Sequence, residues 1–401
     1  MGGLSTSGWT APRYAPRKEG VRRLVDRESP LRRMDWPLVL AALALSGIGS
    51  LLVWSATRDR SDINQGDPQY FLVRHLLNTG IGVALCVGVV LLGHHRLRTA
   101  VPFIYGLSIL GVLAVLSPLG STVNGAHSWI VLGGGFSVQP SEFCKLAIIL
   151  IVATILSARV DAGELQQPDG RSILRALGLA MVPIGIVLMM PDLGSTMVMV
   201  VIILGLLLAS GAPGRWLLGL TAGGALGAFA VVQLHLLKQY QIARFAAFAD
   251  PTLDPSGVGY NTAQARIAIG SGGLTGQGLF HGAQTTGQFV PEQQTDFVFT
   301  VAGEELGFVG GMAIIVLLGV IIWRGFRIAR EAPDLYSTVL AAGVVTWFAF
   351  QGFENIGMTL GIMPVAGIPL PFVSYGGSSM FAIWIGIGIL QSVKMQRSMA
   401  G

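Results

Sequence analysis

Three properties of the 401-residue chain predict an all-α polytopic membrane protein. Only 12% of its residues are charged, about half of the ~25% usual in soluble proteins, and 52% are hydrophobic, with a mean hydropathy of +0.64. So few charged groups leave a water-facing surface uncovered. The apolar residues gather into ten segments, each near the ~20 residues that span a bilayer as a helix. The basic residues between those segments fall mostly on alternate sides, as the positive-inside rule requires.

A basic stretch, 1–35, comes first. Eight of its residues are Lys or Arg, and no apolar run precedes the first span, so it reads as a disordered cytoplasmic tail and not as a signal peptide. Its charges either fix orientation or meet anionic lipid headgroups. The apolar segments follow at 36–54, 77–93, 99–118, 141–157, 173–190, 193–210, 216–236, 299–323, 338–360 and 375–393. The fourth opens with Gln139-Pro140-Ser141, and Pro140 suits the first helical position. Only Pro191-Asp192 separates the fifth and sixth, which read as a tight hairpin with Asp192 capping the sixth helix.

With the N-terminus inside, 19 Lys or Arg fall on the inner side. Six fall outside (Arg58, Arg60, Arg74, Lys238, Arg244 and Arg266), and Lys145 lies within a span. Merging the fifth and sixth segments would invert everything after them and spoil this asymmetry. The reading is one transmembrane domain, 36–395, with a short C-terminal tail, 396–401, and both termini cytoplasmic. The net charge of +5 is thereby accounted for by topology, with no nucleic-acid partner. Cys86 and Cys144 sit in apolar runs and make neither a disulfide framework nor a metal site. The six histidines are scattered, and His127 reads as a membrane-interface residue.

The outer side holds the polar loops. Segments 119–140 and 361–374 contain no Lys or Arg, and the loop between the seventh and eighth spans, 237–298, is about 60 residues long. Loops of that length are usually functional. Phe245-Ala246-Ala247-Phe248 within it suits the membrane surface.

Several clusters carry chemistry, each beside a plainer reading. Glu142 and Lys145 are three apart on one helix face and can pair. An intramembrane charge is costly, so the pair faces the bundle interior or a wet cavity, as a structural lock or as part of a site. Asp250-Pro251 and Asp254-Pro255 are turn formers. Asp254 is also a carboxylate on an outer loop flanked by apolar segments, a position suited to a general base at the membrane surface. Gly270-Ser271-Gly272-Gly273-Leu274-Thr275-Gly276-Gln277-Gly278 lacks the Gly-Lys-Ser/Thr ending of a nucleotide loop. Asp296 is placed to cap the eighth helix. Glu304 and Glu305 point to different sides, with solvation at the outer interface as the plain alternative to a cavity role.

Taken in order, these segments resemble the SEDS family (shape, elongation, division and sporulation) from about residue 36 to 395. The resemblance rests on Asn124-Gly125-Ala126 with Trp129, Gln139-Pro140-Ser141-Glu142 with Lys145, and Pro191-Asp192-Leu193-Gly194-Ser195. It continues in Asp254-Pro255 with Gly259-Tyr260, Pro291-Glu292 with Thr295-Asp296-Phe297, and Glu304-Glu305-Leu306-Gly307. It ends in Asn355-Ile356-Gly357 and Gly367-Ile368-Pro369-Leu370-Pro371-Phe372-Val373-Ser374-Tyr375-Gly376-Gly377-Ser378. His281-Gly282-Ala283-Gln284 and Pro364-Val365-Ala366 are closer to the elongation branch (RodA-like) than to the division branch. Asn261 and His127-Ser128 depart from the usual pattern.

The resemblance implies a ten-span fold in the bacterial inner (plasma) membrane and a peptidoglycan glycosyltransferase acting on lipid II at the extracytoplasmic face, in cell elongation and shape maintenance. It implies Asp254 as the catalytic base, with Lys145, Glu142, Arg244, Trp129, Gln139, Asp296, Glu304, Glu305, Ser374 and Tyr375 at the substrate site. Lys145, Arg244 and a divalent cation (Mg or Mn) are candidates to neutralise the leaving pyrophosphate; no other cofactor is implied. Its partners are membrane lipids and a class B penicillin-binding protein, because the chain lacks the transpeptidase signatures Ser-x-x-Lys and Lys-Thr-Gly. A lipid II flippase or other transporter is the alternative, since intramembrane charges and abundant glycine suit it too. A structural scaffold is the third reading.

Overall fold

The computed structural model describes residues 33–123, 126–133, 136–190, 192–234, 242, 248 and 257–400. Met1–Met34 is one unit and Asp35–Gly401 another. The second unit contains helices α1 (Trp36–Thr57), α2 (Tyr70–Leu92), α3 (His94–Leu116), α4 (Pro140–Asp161), α5 (Gly170–Met189), α6 (Leu193–Ala209) and α7 (Gly214–Gln233). After these come α8 (Val258–Ser271), α9 (Ala283–Thr286), α10 (Val298–Glu305), α11 (Gly307–Arg330), α12 (Leu335–Leu360) and α13 (Gly377–Ala400).

Eight of these helices, α1–α5 and α11–α13, are long and apolar enough to cross a membrane, and α6 is apolar but shorter. The chain is thus an integral, mostly helical membrane protein. Helix starts follow local chemistry. Asp35, Asp169, Asp192 and Asp334 each accept a hydrogen bond from the backbone N–H three residues on, capping α1, α5, α6 and α12. Asp192 thus has the capping role read from the sequence. The helices α4, α12 and α13 are mostly buried, whereas α2, α3 and α11 expose apolar residues such as Leu91, Phe103 and Phe308, as lipid-facing helices do.

Four features differ from the sequence reading. The segment 119–140 is not a plain loop. It holds a three-stranded antiparallel sheet, β1 (Ser121–Val123), β2 (Ala126–Gly133) and β3 (Phe136–Val138), in the order β1-β2-β3. Its Val, Ile and Phe residues favour strands. Second, α2 starts at Tyr70, so Arg74 lies on the helix and not in the loop before it. Third, the eighth apolar segment is split. Gly307 has φ +66, and a Cβ there would collide with the Gly276 backbone nitrogen, so the helix breaks between α10 and α11. Fourth, the long loop contains α8 and α9, and α8 packs on α10 so closely that a Cβ on Gly272 would meet the Gly303 carbonyl.

Candidate functional site

A cavity of about 290 Å³ opens among the α1–α2 connection, the first turns of α2, the small sheet, the segment before α10 and the start of α13. Arg60, Arg74, Asn78, Trp129, Glu292 and Tyr375 line it. Arg60 bonds Asp62 at 2.9 Å, and that bond holds the exposed Asp62 carboxyl below its usual range. The Arg74 guanidinium lies over the Tyr70 ring, 4.2 Å from its centre. The backbone N–H of Tyr375 donates to the Gln294 carbonyl at 2.8 Å, and its ring meets Phe71 edge-on at 4.9 Å. Burial pushes the Tyr375 phenol above its ordinary value, and Arg74 acts against that shift.

Glu292 has φ +52, a left-handed backbone that costs a side-chain-bearing residue about 1–3 kcal/mol and is concentrated at functional sites. Its carboxylate accepts from the Thr295 hydroxyl at 3.1 Å and the Gln294 amide at 3.4 Å. Asp62 pairs with Arg60 from outside the lining and neighbouring side chains occupy Glu292, so the two guanidinium groups of the lining suit a phosphate-bearing anion. The same donor set does not suit a divalent cation, which takes six or more oxygens or a few carboxylates with water. Among the described residues no group of three or more His, Cys, Asp or Glu is arranged for a metal.

The 361–376 connection forms one wall, and buried amides fix it. Asn355 on α12 donates to the carbonyls of Asp296 at 2.8 Å and Ile368 at 2.7 Å. The Ser374 hydroxyl accepts from the Leu370 N–H at 2.8 Å and donates to the Thr295 carbonyl. Ser374 therefore ties this wall to the segment before α10, while Tyr375, next to it, faces the cavity. Asp296 does not cap α10: that helix starts after Phe297 with no side-chain cap, and the Asp296 carboxylate lies beside Gly367.

Lys145 lies on α4 and is not among the residues that line the cavity. It is fully buried, bonded to Glu142 at 2.6 Å and to the Gln351 side-chain oxygen, Oε1, at 2.9 Å. Trp347 donates to the same Gln351 oxygen at 2.7 Å, and the Gln351 amide donates to the Pro369 carbonyl at 2.9 Å. The pair belongs to an internal strut between α4, α12 and the 361–376 connection, and Lys145 presents no charge to the cavity. Gln139 likewise turns to the protein, donating to Asp192 at 3.2 Å alongside Ser141.

Glu304 and Glu305 are also buried, contrary to the solvation reading. Glu304 accepts from the Gln284 N–H at 2.7 Å, the Thr285 N–H at 2.9 Å and the Thr285 hydroxyl at 2.7 Å. Glu305 accepts from the Ser55 hydroxyl on α1 at 2.6 Å, and burial raises its carboxyl above the usual value. Although adjacent, both face the 276–289 loop, because a Cβ on Gly282 would touch both side chains. They hold that loop in place and do not line the cavity.

Of the residues singled out from the sequence, Trp129 and Tyr375 line the cavity and Ser374 bonds Thr295 of its lining, whereas Glu142, Lys145, Gln139, Asp296, Glu304 and Glu305 are not among its lining residues. Asp254 and Arg244 lie outside the described residues. Arg60, Arg74, Asn78 and Glu292 line the cavity without being marked as site residues by the sequence. The sequence carried one signal for the two arginines, which are among the six basic residues on the outer side.

Residues 36–399 match the FtsW/RodA/SpoVE cell cycle protein family. The chain is 38% identical over 360 residues to stage V sporulation protein E of Bacillus subtilis, covering 90% of this chain and 96% of that protein. It is 34% identical over 366 residues to the peptidoglycan glycosyltransferase MrdB of Escherichia coli, covering 91% and 95%. Its fold is similar to the crystal structure of the rod shape determining protein RodA of Thermus thermophilus, with TM-score 0.65, 30% identity, and 91% and 97% of the two chains covered. It is also similar to a chain of a peptidoglycan synthase complex that coordinates polymerization and crosslinking, with TM-score 0.73, 32% identity, and 91% and 98% covered.

Proposed function

The chain belongs to the FtsW/RodA/SpoVE family, and from that premise we propose that it is a peptidoglycan glycosyltransferase that polymerises lipid II. The observation that carries this reading to a site is the cavity where Arg60 and Arg74 converge beside Trp129 and Tyr375. A lipid-linked pyrophosphate sugar offers an anion for the arginines and a sugar face for the aromatic rings.

The reaction uses few protein groups. Asp254 takes the proton from the GlcNAc 4-hydroxyl of the acceptor. The freed oxygen attacks C1 of the donor MurNAc, the C1–O bond to pyrophosphate breaks, and configuration inverts from α to β. The departing undecaprenyl pyrophosphate needs no protonation if its charge is neutralised, so a second carboxylic acid of the kind glycoside hydrolases use is unnecessary. Arg60 and Arg74 supply that neutralisation, joined by Arg244. The Lys145–Glu142–Gln351 strut acts indirectly, by holding the 361–376 wall.

The same proposal has α1–α7 and α11–α13 as ten spans of the bacterial inner membrane. Both termini are cytoplasmic and the cavity opens on the extracytoplasmic face. A class B penicillin-binding protein crosslinks the product during cell elongation. The test is kinetic. Arg74→Ala is expected to lower kcat/KM for lipid II about 10–100-fold, the worth of one charge-assisted phosphate contact, with melting unchanged. An unaltered kcat/KM in a folded Arg60→Ala/Arg74→Ala enzyme would remove the cavity from the mechanism.

A further inference from the structure

His75 is fully buried on α2, and neither of its ring nitrogens has a hydrogen-bond partner. Asn78, three residues along on the same helix face, lines the cavity and has a buried, unpartnered side-chain oxygen. Between the helices the seam is close. The Tyr375 ring centre is 6.3 Å from that of His75, and a Cβ on Gly377 would lie 3.5 Å from the Asn78 amide nitrogen. The unpaired Asn78 oxygen thus belongs to a residue of the cavity lining, and the unpaired His75 ring lies behind that lining, beside Asn78 and Tyr375. Buried polar groups in a membrane bundle are satisfied within the protein, by ordered water or by a bound guest.

We propose that His75 and Asn78 form an inner polar subsite that binds a hydroxyl of the sugar attached to the lipid-linked pyrophosphate, making His75 a specificity-determining residue. A neutral imidazole donates at one nitrogen and accepts at the other, and the Asn78 oxygen accepts. That set complements a hydroxyl, which both donates and accepts. Asn78 stands four residues after Arg74 on the same helix face, and both line the cavity, so the hydroxyl site lies about one helical turn, ~5 Å, from the anion site. A sugar ring hydroxyl lies at a comparable distance from its own C1 phosphate. A bare prenyl pyrophosphate meets the arginines and leaves the inner atoms unpaired. The site therefore favours the glycosylated donor over the product that must leave. This inference rests on the cavity being the lipid II site.

The test measures binding of two probes to the purified full-length protein in detergent: a short-prenyl lipid II and the same-chain prenyl pyrophosphate without sugar. His75→Phe, close in shape, is expected to weaken the sugar-bearing probe about 10-fold and leave the bare pyrophosphate unchanged. Asn78→Ala is expected to show the same selective loss, and His75→Gln to restore most of the affinity. If both probes weaken alike, or neither does, in variants that melt like wild type, His75 is a packing residue or holds a structural water, and the subsite is overturned. Arg74→Ala separates the two levels. If it weakens both probes while His75→Phe weakens neither, only the subsite fails; if it weakens neither, the cavity reading fails and the subsite with it.

Discussion

Replacing Lys145 with Met tests whether the buried strut is structural. The side chain is enclosed, with Glu142 at 2.6 Å, Gln351 at 2.9 Å and the Trp347 ring centre at 5.6 Å from its ammonium nitrogen. One oxygen of Glu142 already has no partner. Removing the cation strands the carboxylate, and breaking one side of a buried pair typically costs about 3–5 kcal/mol. Gln351 keeps Trp347 and the Pro369 carbonyl, so the loss is concentrated on Glu142. Replacing both partners, Glu142→Leu with Lys145→Met, removes the stranded charge along with the ion pair. Such swaps are often neutral, so the double variant is expected to recover most of the stability. SDS-titrated unfolding in mixed micelles reads the difference directly. A Lys145→Met protein as stable as wild type, or a double variant no more stable than the single, would refute the assignment of a buried, mutually compensating pair.

Two further outcomes concern the adjacent glutamates. Glu304→Ala removes three bonds to residues 284 and 285, two of them from backbone N–H groups. Each charge-assisted bond is worth about 1.5–3 kcal/mol, so hydrogen exchange of the 283–289 amides should accelerate markedly while that of α4 and α12 stays slow; unchanged 283–289 exchange would count against the clamp. Glu305 has a raised carboxyl pKa, so the folded state binds more protons than the unfolded state above the ordinary carboxylate value. Its contribution to stability therefore falls as pH rises through that interval. Glu305→Gln keeps an acceptor for Ser55 and should melt above wild type at pH 8, with the advantage shrinking toward pH 5; a pH-independent difference would contradict the shift.

The spans were legible because their signal is local: a run such as Leu38 to Val53 is apolar all round, and Asp35 and Asp192 cap where they stand in the chain. The strands within Ser121–Val138 are not legible in this way, because no clean alternation of apolar and polar residues marks them. The break at Gly307 depends on Gly276, thirty-one residues earlier, and no window along the chain contains that contact. The cavity is harder still. Arg60, Arg74, Trp129 and Glu292 come from four separate stretches, and only folding brings them together. The spacing of Glu142 and Lys145 makes them a pair, but the second acceptor that holds Lys145 inside, Gln351 on α12, is eight helices further along the chain. Charge type was therefore readable, and which side of the wall each charge faces was not.

Glycan polymer formation by the purified chain, supplied only with lipid II in detergent, addresses the central claim directly. Wild type is expected to yield glycan strands and release undecaprenyl pyrophosphate. Asp254→Asn should fall by about 10²–10⁴-fold, the usual worth of a positioned base, with its melting temperature retained. Ordinary polymer from Asp254→Asn, or none from wild type when lipid II needs no transport, would contradict it.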